Sequence, residues 1–325
     1  MPATRLLLGV DIGGTKVAAG IVSPQGEILA RTRVPMISHE DAAAGLAAVE
    51  RAIEAALALL PERRAEVAAI GISSPGPLDP RRGVVINPPN LPCWRDFPLA
   101  EKVQESRRLP VRIDNDANAA ALAEAIWGAG AGYPSVFYAT LGTGIGSGVV
   151  LDGRIYHGRT GAAAEGGHVS IDYHGPVCAC GKRGCIEALA AGPAVAQRAR
   201  TRLATAGAQG AKLLALAGGN PAAITAEMVG EAWRASDPLA TAVLQETADL
   251  LAVWLGNIID LLEPDVIIFG GGMGSLMAEW FGHIRAQLPS WSINSRCQEI
   301  PLLRARYGDD SGIAGAAALW SAEKS

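Results

Sequence analysis

Three glycine-rich turns, one acidic cluster and one cysteine cluster hold the residue types in this chain that could do chemistry. The turns are Asp11-Ile-Gly13-Gly14-Thr15-Lys16, Gly142-Thr143-Gly144-Ile145-Gly146 and Gly270-Gly271-Gly272, each after an apolar run that reads as a buried strand. Backbone N–H groups at such a turn converge, and glycine leaves the approach open, so the concavity can hold a phosphate oxygen. Asp11 supplies a carboxylate suited to Mg2+ beside a triphosphate, directly or through water; Thr15 adds a hydroxyl and Lys16 a positive charge. A single glycine-rich turn can merely reverse the chain. Three of them, two with matching layout, argue for a nucleotide. The chain has no G-x-x-x-x-G-K-[ST], and no G-x-G-x-x-G opens a helix after a strand, which excludes P-loop and Rossmann dinucleotide sites.

The acidic cluster is Asp114-Asn115-Asp116-Ala117-Asn118, between a short strand and an alanine-rich helix. Asp and Asn are natural helix caps, but two of each in five residues exceed what one cap requires. In phosphoryl transfer one carboxylate would accept the proton of the attacking hydroxyl, and an Asn can both donate to and accept from a sugar hydroxyl. Cys178, Cys180 and Cys185 lie within eight residues, with His168 ten residues upstream. Together they make a Cys3His set suited to tetrahedral Zn2+, and a closed four-ligand site is structural, not catalytic. His39, His157, His174 and His283 remain alternative fourth ligands, His174 being nearest in sequence to the cysteines.

These residues need strands and helices to position them. Leu6–Ile12 and Val17–Val22 read as a hairpin, followed by a strand over 27–34. Ser38 with Asp41 resembles a capping box before a helix through Leu46, Val49, Ile53, Leu57 and Leu60, which Pro61 stops. Strands are expected over 67–73 and 111–114, loop over 79–98, and a helix over 117–127. The opening strand–turn–strand layout recurs at 136–151, a weak internal duplication. Residues 158–187 lack periodicity, and 206–223 reads as an exposed excursion. Thr225 caps one helix, Pro238 opens another running to about Leu262, and 266–269 is a strand. Strands alternating with helices after a hairpin mean a mixed-sheet α/β protein.

At 325 residues, 49% hydrophobic and 18% charged, the chain suits two well-buried domains rather than disorder. A net charge of −4 without a basic face argues against a nucleic-acid partner. No uninterrupted apolar run of about 18 residues is seen, so no membrane partner is expected. Five cysteines, an odd number, argue against a disulfide framework. With no secretory signal visible, the expected location is cytoplasmic.

Taken together, Asp11–Lys16, Ser74-Pro-Gly76, Asn90-Leu91, Asn115-Asp116, Leu141-Gly-Thr-Gly144 and above all Glu165-Gly-Gly-His168 followed by Cys178-x-Cys180-Gly-x-x-Gly-Cys185-x-Glu187 resemble the ROK family of bacterial sugar kinases and sugar-responsive repressors, from about Leu6 to about Leu319. The resemblance implies a two-domain actin–hexokinase-like (ribonuclease H-like) ATPase fold of α/β class with an interdomain cleft. Residues 1–118 plus about 305–325 would form a small domain, and 119–304 a large one carrying the zinc loop. It implies an ATP-dependent hexose kinase acting on the sugar 6-hydroxyl, glucose first, with N-acetylglucosamine, N-acetylmannosamine or a non-catalytic sugar-sensing regulator as alternatives. Asp116 would be the general base; Gly76, Asn90, Asn115, Glu165, His168 and Glu187 would bind the sugar. Asp11, Gly13, Gly14, Thr15, Lys16, Thr143, Gly144, Gly271 and Gly272 would surround ATP and Mg2+. His168, Cys178, Cys180 and Cys185 would hold structural zinc, with one His168 ring nitrogen on the metal and the other on the sugar. The first strand begins by Leu6, so no N-terminal helix-turn-helix is expected; a homodimer is, or a tetramer. Cys93 stands where many relatives carry glycine, beside the sugar loop.

Overall fold

The computed structural model describes residues 5–321; the ends of the expected domain spans, 1–4 and 322–325, lie outside the described residues. The chain forms two compact units: Met1–Tyr138 with Gly148–Ala164 and Ala305–Ser325, and Ala139–Ser147 with Glu165–Arg304. Its strands are β1 (Leu6–Ile12), β2 (Lys16–Val22), β3 (Ile28–Pro35), β4 (Val67–Ser74), β5 (Leu78–Asp79), β6 (Val84–Val85), β7 (Val111–Asn115), β8 (Ser135–Leu141), β9 (Ile145–Leu151), β10 (Arg154–Ile155), β11 (Val266–Gly270) and β12 (Leu302–Arg304). One sheet runs β3-β2-β1-β4-β7, another β10-β9-β8-β11-β12, and β5 pairs with β6. Numbered within themselves, both large sheets have the order third-second-first-fourth-fifth, the duplication expected from the repeated hairpin.

In the first unit, period-two alternation divides the sheet residues between two faces. Leu6, Leu8, Val10 and Ile12 of β1 join one buried cluster with Val49, Ala52, Ile53 and Ala56 of the helix Ala42–Ala58. Leu7, Ala18, Val22 and Ala69 join another with Ile313 and Ala317 of the helix Ser311–Ala318. Each fully buried aliphatic side chain of this kind contributes about 1.5–3 kcal/mol. The second helix lies so close that a Cβ on Gly9 or Gly71 would collide with the carbonyl of Ile313 or Ala316. The abundance of small residues reflects this contact.

Buried carboxylates lock the chain turns. Glu124 is fully buried, and its carboxylate oxygens Oε1 and Oε2 accept the N–H groups of Arg306 and Ala129, both at 2.8 Å. In the second unit Asp237 caps the helix Pro238–Leu262 through Ala240 N (3.0 Å) and also accepts the N–H groups of Lys212 and Leu213 at 3.1 Å. That helix is long and apolar enough to cross a membrane by length and composition, and most of its apolar stretch is buried inside the protein.

Three local expectations change. Ser38 does not cap the first helix: Asp41 does, accepting Ala44 N at 2.8 Å, while Ser38 Oγ donates to Gly14 O at 2.9 Å. The 79–98 segment is more than loop. It carries most of the β5–β6 pair, and Trp94, 1% exposed, stacks on Phe97 at 5.4 Å. The 206–223 excursion holds short helical turns, and Leu213 in it is fully buried.

Candidate functional site

The predicted residues fall into two groups, one on each unit. On the first, the carboxyl ends of three neighbouring strands are aligned: Asp11 of β1 pairs with Ser73 of β4, and Ser73 and Ser74 pair with Asp114 and Asn115 of β7. The carboxyl ends of parallel strands are where open α/β sheets bind ligands. Ser73 Oγ donates to Asp11 Oδ1 at 2.9 Å. Burial pushes the Asp11 carboxyl above its ordinary pKa, against the Ser73 hydrogen bond and the charges of Lys16 and Arg33. A metal ion would oppose the effect of burial. Asp11 offers one carboxylate, a hard oxygen donor of the kind Mg2+ takes.

The β1–β2 turn closes through Gly13 N to Lys16 O at 2.9 Å. Among the described residues, the N–H groups of Gly14 and Thr15 meet no acceptor, while Lys16 is the exposed first residue of β2. Gly14 is bounded by Asn90, whose carbonyl oxygen would lie 2.9 Å from a Cβ there. Gly76 sits beside Asn115, whose Nδ2 would lie 3.4 Å from a Cβ on it.

The acidic cluster separates its two aspartates. Asp114, 4% exposed, is engaged on both oxygens: Oδ2 lies 2.6 Å from His157 Nε2, and Oδ1 accepts Asn118 Nδ2 at 3.1 Å and Asn115 N at 2.8 Å. Asn115 caps the helix Asp116–Ile126, its Oδ1 accepting Ala117 N at 2.9 Å. Asp116 is the first helical residue and exposed, with Oδ1 accepting Ala117 N at 2.8 Å. Capping therefore occupies Asn115 Oδ1, and the exposed carboxylate is Asp116.

On the second unit, Gly166 is held from two sides: its N–H donates to Ser147 Oγ at 2.8 Å, and its carbonyl accepts Trp254 Nε1 at 3.0 Å. His168 N donates to Glu165 O at 3.0 Å, closing the turn. A Cβ on Gly167 would strike Ile145 O, so the paired glycines let the turn lie flat against β9. Glu187 Oε2 accepts Ile145 N at 2.9 Å and would lie 2.5 Å from a Cβ on Gly144. Glu187 thus ties the second glycine turn to the cysteine loop, with Oε1 3.8 Å from His168 Nδ1 and 3.7 Å from Cys178 Sγ.

His168, Cys178, Cys180 and Cys185 bring one ligand atom each into a group whose members all lie within 4.8 Å of one another. Cys180 Sγ and Cys185 Sγ are 3.7 Å apart, and Cys178 Sγ and His168 Nδ1 3.6 Å. Tetrahedral zinc with Zn–S of about 2.3 Å and Zn–N of about 2.0–2.1 Å has edges of about 3.8 Å for S···S and 3.6 Å for S···N. The four residues fit that ion. Burial pushes the Cys185 thiol up to about 12 and raises Cys178, whereas the Lys182 backbone N–H lowers Cys180. Zinc would hold all three as thiolates. The alternative histidines lie elsewhere: His157 on Asp114, His283 with Nε2 2.6 Å from Asp249 Oδ1, His174 against the Tyr173 ring, and His39 exposed outside the cluster.

A cavity of about 430 Å3 on this unit is lined by Gly142, Thr143 and Gly272 with Arg200, Glu227 and Met273. Its volume lies in the range of small-ligand sites. Thr143 and Gly272 were expected to touch nucleotide. Gly144 and Gly271 do not line the cavity: Gly144 abuts Glu187, and Gly271, at φ +77°, packs over Leu141 O. Arg200 was missed. Its Nε is buried without a partner among the described residues, and the residue lines the cavity. No spacing rule singles out that arginine, although Gly192-Pro193 at the start of its helix is a legible helix opening.

The ROK family profile matches residues 7–323. Glucokinase of Streptomyces coelicolor is 35% identical over 97% of this chain and 97% of its own length. N-acetylmannosamine kinase of Escherichia fergusonii is 32% identical over 98% of this chain and 99% of its own. A crystal structure of a ROK glucokinase from Streptomyces griseus in complex with glucose and AMPPNP superimposes with a TM-score of 0.81 at 37% identity, covering 97% of this chain and 98% of that one. The chain belongs to the ROK family. Its fold is the actin-like hexokinase type.

Proposed function

We propose that this protein is an ATP-dependent hexose kinase that transfers the γ-phosphoryl group to the sugar 6-hydroxyl, with glucose as its preferred substrate. The observation that carries the reading is the division of labour between Asp114 and Asp116. Asp114 is enclosed and held by His157 and Asn118, whereas Asp116 stands exposed at the carboxyl end of β7. In this reading Asp116 is the general base. Asn115, Gly76 and Asn90 bind the sugar, and Glu165, His168 and Glu187 take its ring hydroxyls. Gly13, Gly14, Thr15 and Lys16, with Thr143 and Gly144, hold the phosphates, while Gly272 borders the nucleoside with Arg200 and Gly271 shapes the turn that presents it. Asp11 holds Mg2+, which neutralises charge developing on the phosphates. Zinc on Cys178, Cys180, Cys185 and His168 Nδ1 fixes the His168 ring, leaving Nε2 for a hydroxyl.

Similarity to both glucokinases and an N-acetylmannosamine kinase supports the class of reaction more firmly than the choice of sugar. ADP release measured across glucose, mannose, N-acetylglucosamine and N-acetylmannosamine with Mg-ATP tests the reading. The highest kcat/KM on glucose is expected. A preference for an N-acetylhexosamine would move the substrate within the class, and no turnover with any hexose would overturn the kinase reading.

A further inference from the structure

A basic concavity of the first unit plays no part in the proposed reaction. It measures about 760 Å3, and four arginines line it: Arg81, Arg82, Arg112 and Arg154. Among the described residues, the only carboxylate in its lining is Asp114, which His157 already engages at 2.6 Å. In a chain of net charge −4, this is a local excess of positive charge.

Among the described residues, Arg81, Arg82 and Arg154 have no carboxylate within ion-pair distance, and all three are exposed. The neighbouring Asp79 makes no side-chain ion pair with the first two; its Oδ1 accepts their backbone N–H groups, both at 3.0 Å. Arg112 is fixed from behind, with Nη1 donating to Leu319 O at 2.8 Å and the guanidinium 4.2 Å above the Trp320 ring. The Asp114 hydrogen bond raises the pKa of His157, against burial and the charge of Arg81. Ile113 and Leu122 supply an apolar floor. Like charges gathered around a low-dielectric floor concentrate the field and favour a counter-ion. The planar arginine fork matches phosphate oxygens in pairs, so several forks around one concavity suit a tetrahedral dianion better than a single carboxylate.

We infer that this concavity is a binding site for a small phosphate-bearing metabolite, its phosphoryl group held by Arg81, Arg82 and Arg154 and its less polar part on the Ile113–Leu122 floor. The site does not depend on the proposed kinase reaction. It shares Asp114 and His157 with the acidic turn, so an occupant sits two residues along the chain from Asp116.

Isothermal titration with inorganic phosphate tests this, at constant ionic strength, with glucose and a non-hydrolysable ATP analogue saturating the proposed substrate sites. Saturable binding is expected, weakened about tenfold or more in Arg81→Ala/Arg154→Ala, because each lost contact is a charge-assisted hydrogen bond. Both side chains are exposed, so the variant is expected to melt with the wild type in chloride. Arg81→Lys/Arg154→Lys, which keeps the charge and removes the fork, controls for any change in fold and is expected to bind with intermediate affinity. No saturable binding at millimolar phosphate, or equal affinity in wild type and the alanine variant, overturns the site. Capture of the protein by anionic phospholipid vesicles with no binding of free phosphate overturns the small-molecule assignment.

Discussion

Replacing Cys180 by serine removes one zinc ligand with little direct cost to the core, because Cys180 is exposed whereas Cys178 and Cys185 are buried. The 3.7 Å and 3.6 Å separations already match tetrahedral edges, so the intact set needs little rearrangement to bind the ion. Structural zinc in small peptides is worth about 10–16 kcal/mol, and an even share among four ligands is about 3–4 kcal/mol, or two to three decades in affinity. Cys180→Ser should therefore lose zinc to a chelator that leaves the wild type loaded. His168 then loses the partner that fixes its ring. The hydrogen bond it is proposed to make to the sugar is worth about 0.5–1.5 kcal/mol net, so sugar affinity should weaken about twofold to tenfold. Metal content by mass spectrometry and sugar titration by tryptophan fluorescence read the two effects separately. Retention of one zinc per chain through chelation would refute the ligand set. Zinc loss with unchanged sugar affinity would refute the coupling through His168.

Three further outcomes are expected. His157 has a raised pKa through Asp114, so its contribution to stability is fully present below about pH 6.5 and is lost as pH rises through the folded-state value. Chemical denaturation across that window should show stability falling in the wild type and a flatter profile in His157→Gln; identical slopes would contradict the pairing. Gly271→Ala faces both a positive φ and a collision with Leu141 O, so it should cost at least about 1–2 kcal/mol and weaken nucleotide binding, read by thermal melts with and without the ATP analogue. Wild-type behaviour in both would contradict the packing at that turn. Arg200→Met should weaken nucleotide binding and leave sugar affinity unchanged; unaltered affinity for the ATP analogue would remove Arg200 from the nucleotide cavity.

The glycine turns, the acidic cluster and the cysteine spacing were legible because each is a run of neighbours in sequence whose local chemistry is self-contained. The same holds for the β1–β2 hairpin, its recurrence at 136–151, and the Thr225 and Pro238 helix starts. What could not be read depends on partners far apart in the chain. Nothing near Glu124 announces that it will be buried against the N–H groups of Arg306 and Tyr307, or near Ser38 that its hydroxyl will go to Gly14 rather than a helix end. The roles of Asp114 and Asp116 could not be separated by type or spacing, because His157, 43 residues away, distinguishes them. Arg200 and the arginines around Asp114 were invisible for the same reason.

The most direct test of Asp116 as the base is single-turnover phosphoryl transfer by Asp116→Asn, paired with sugar titration of the same preparation. The substitution keeps the size of an exposed side chain and an oxygen able to accept the Ala117 N–H, so the helix start should survive. Transfer should slow by about a hundredfold to ten-thousandfold, the range for loss of a general base, while sugar affinity changes little. Transfer within a few fold of wild type would contradict the assignment of Asp116.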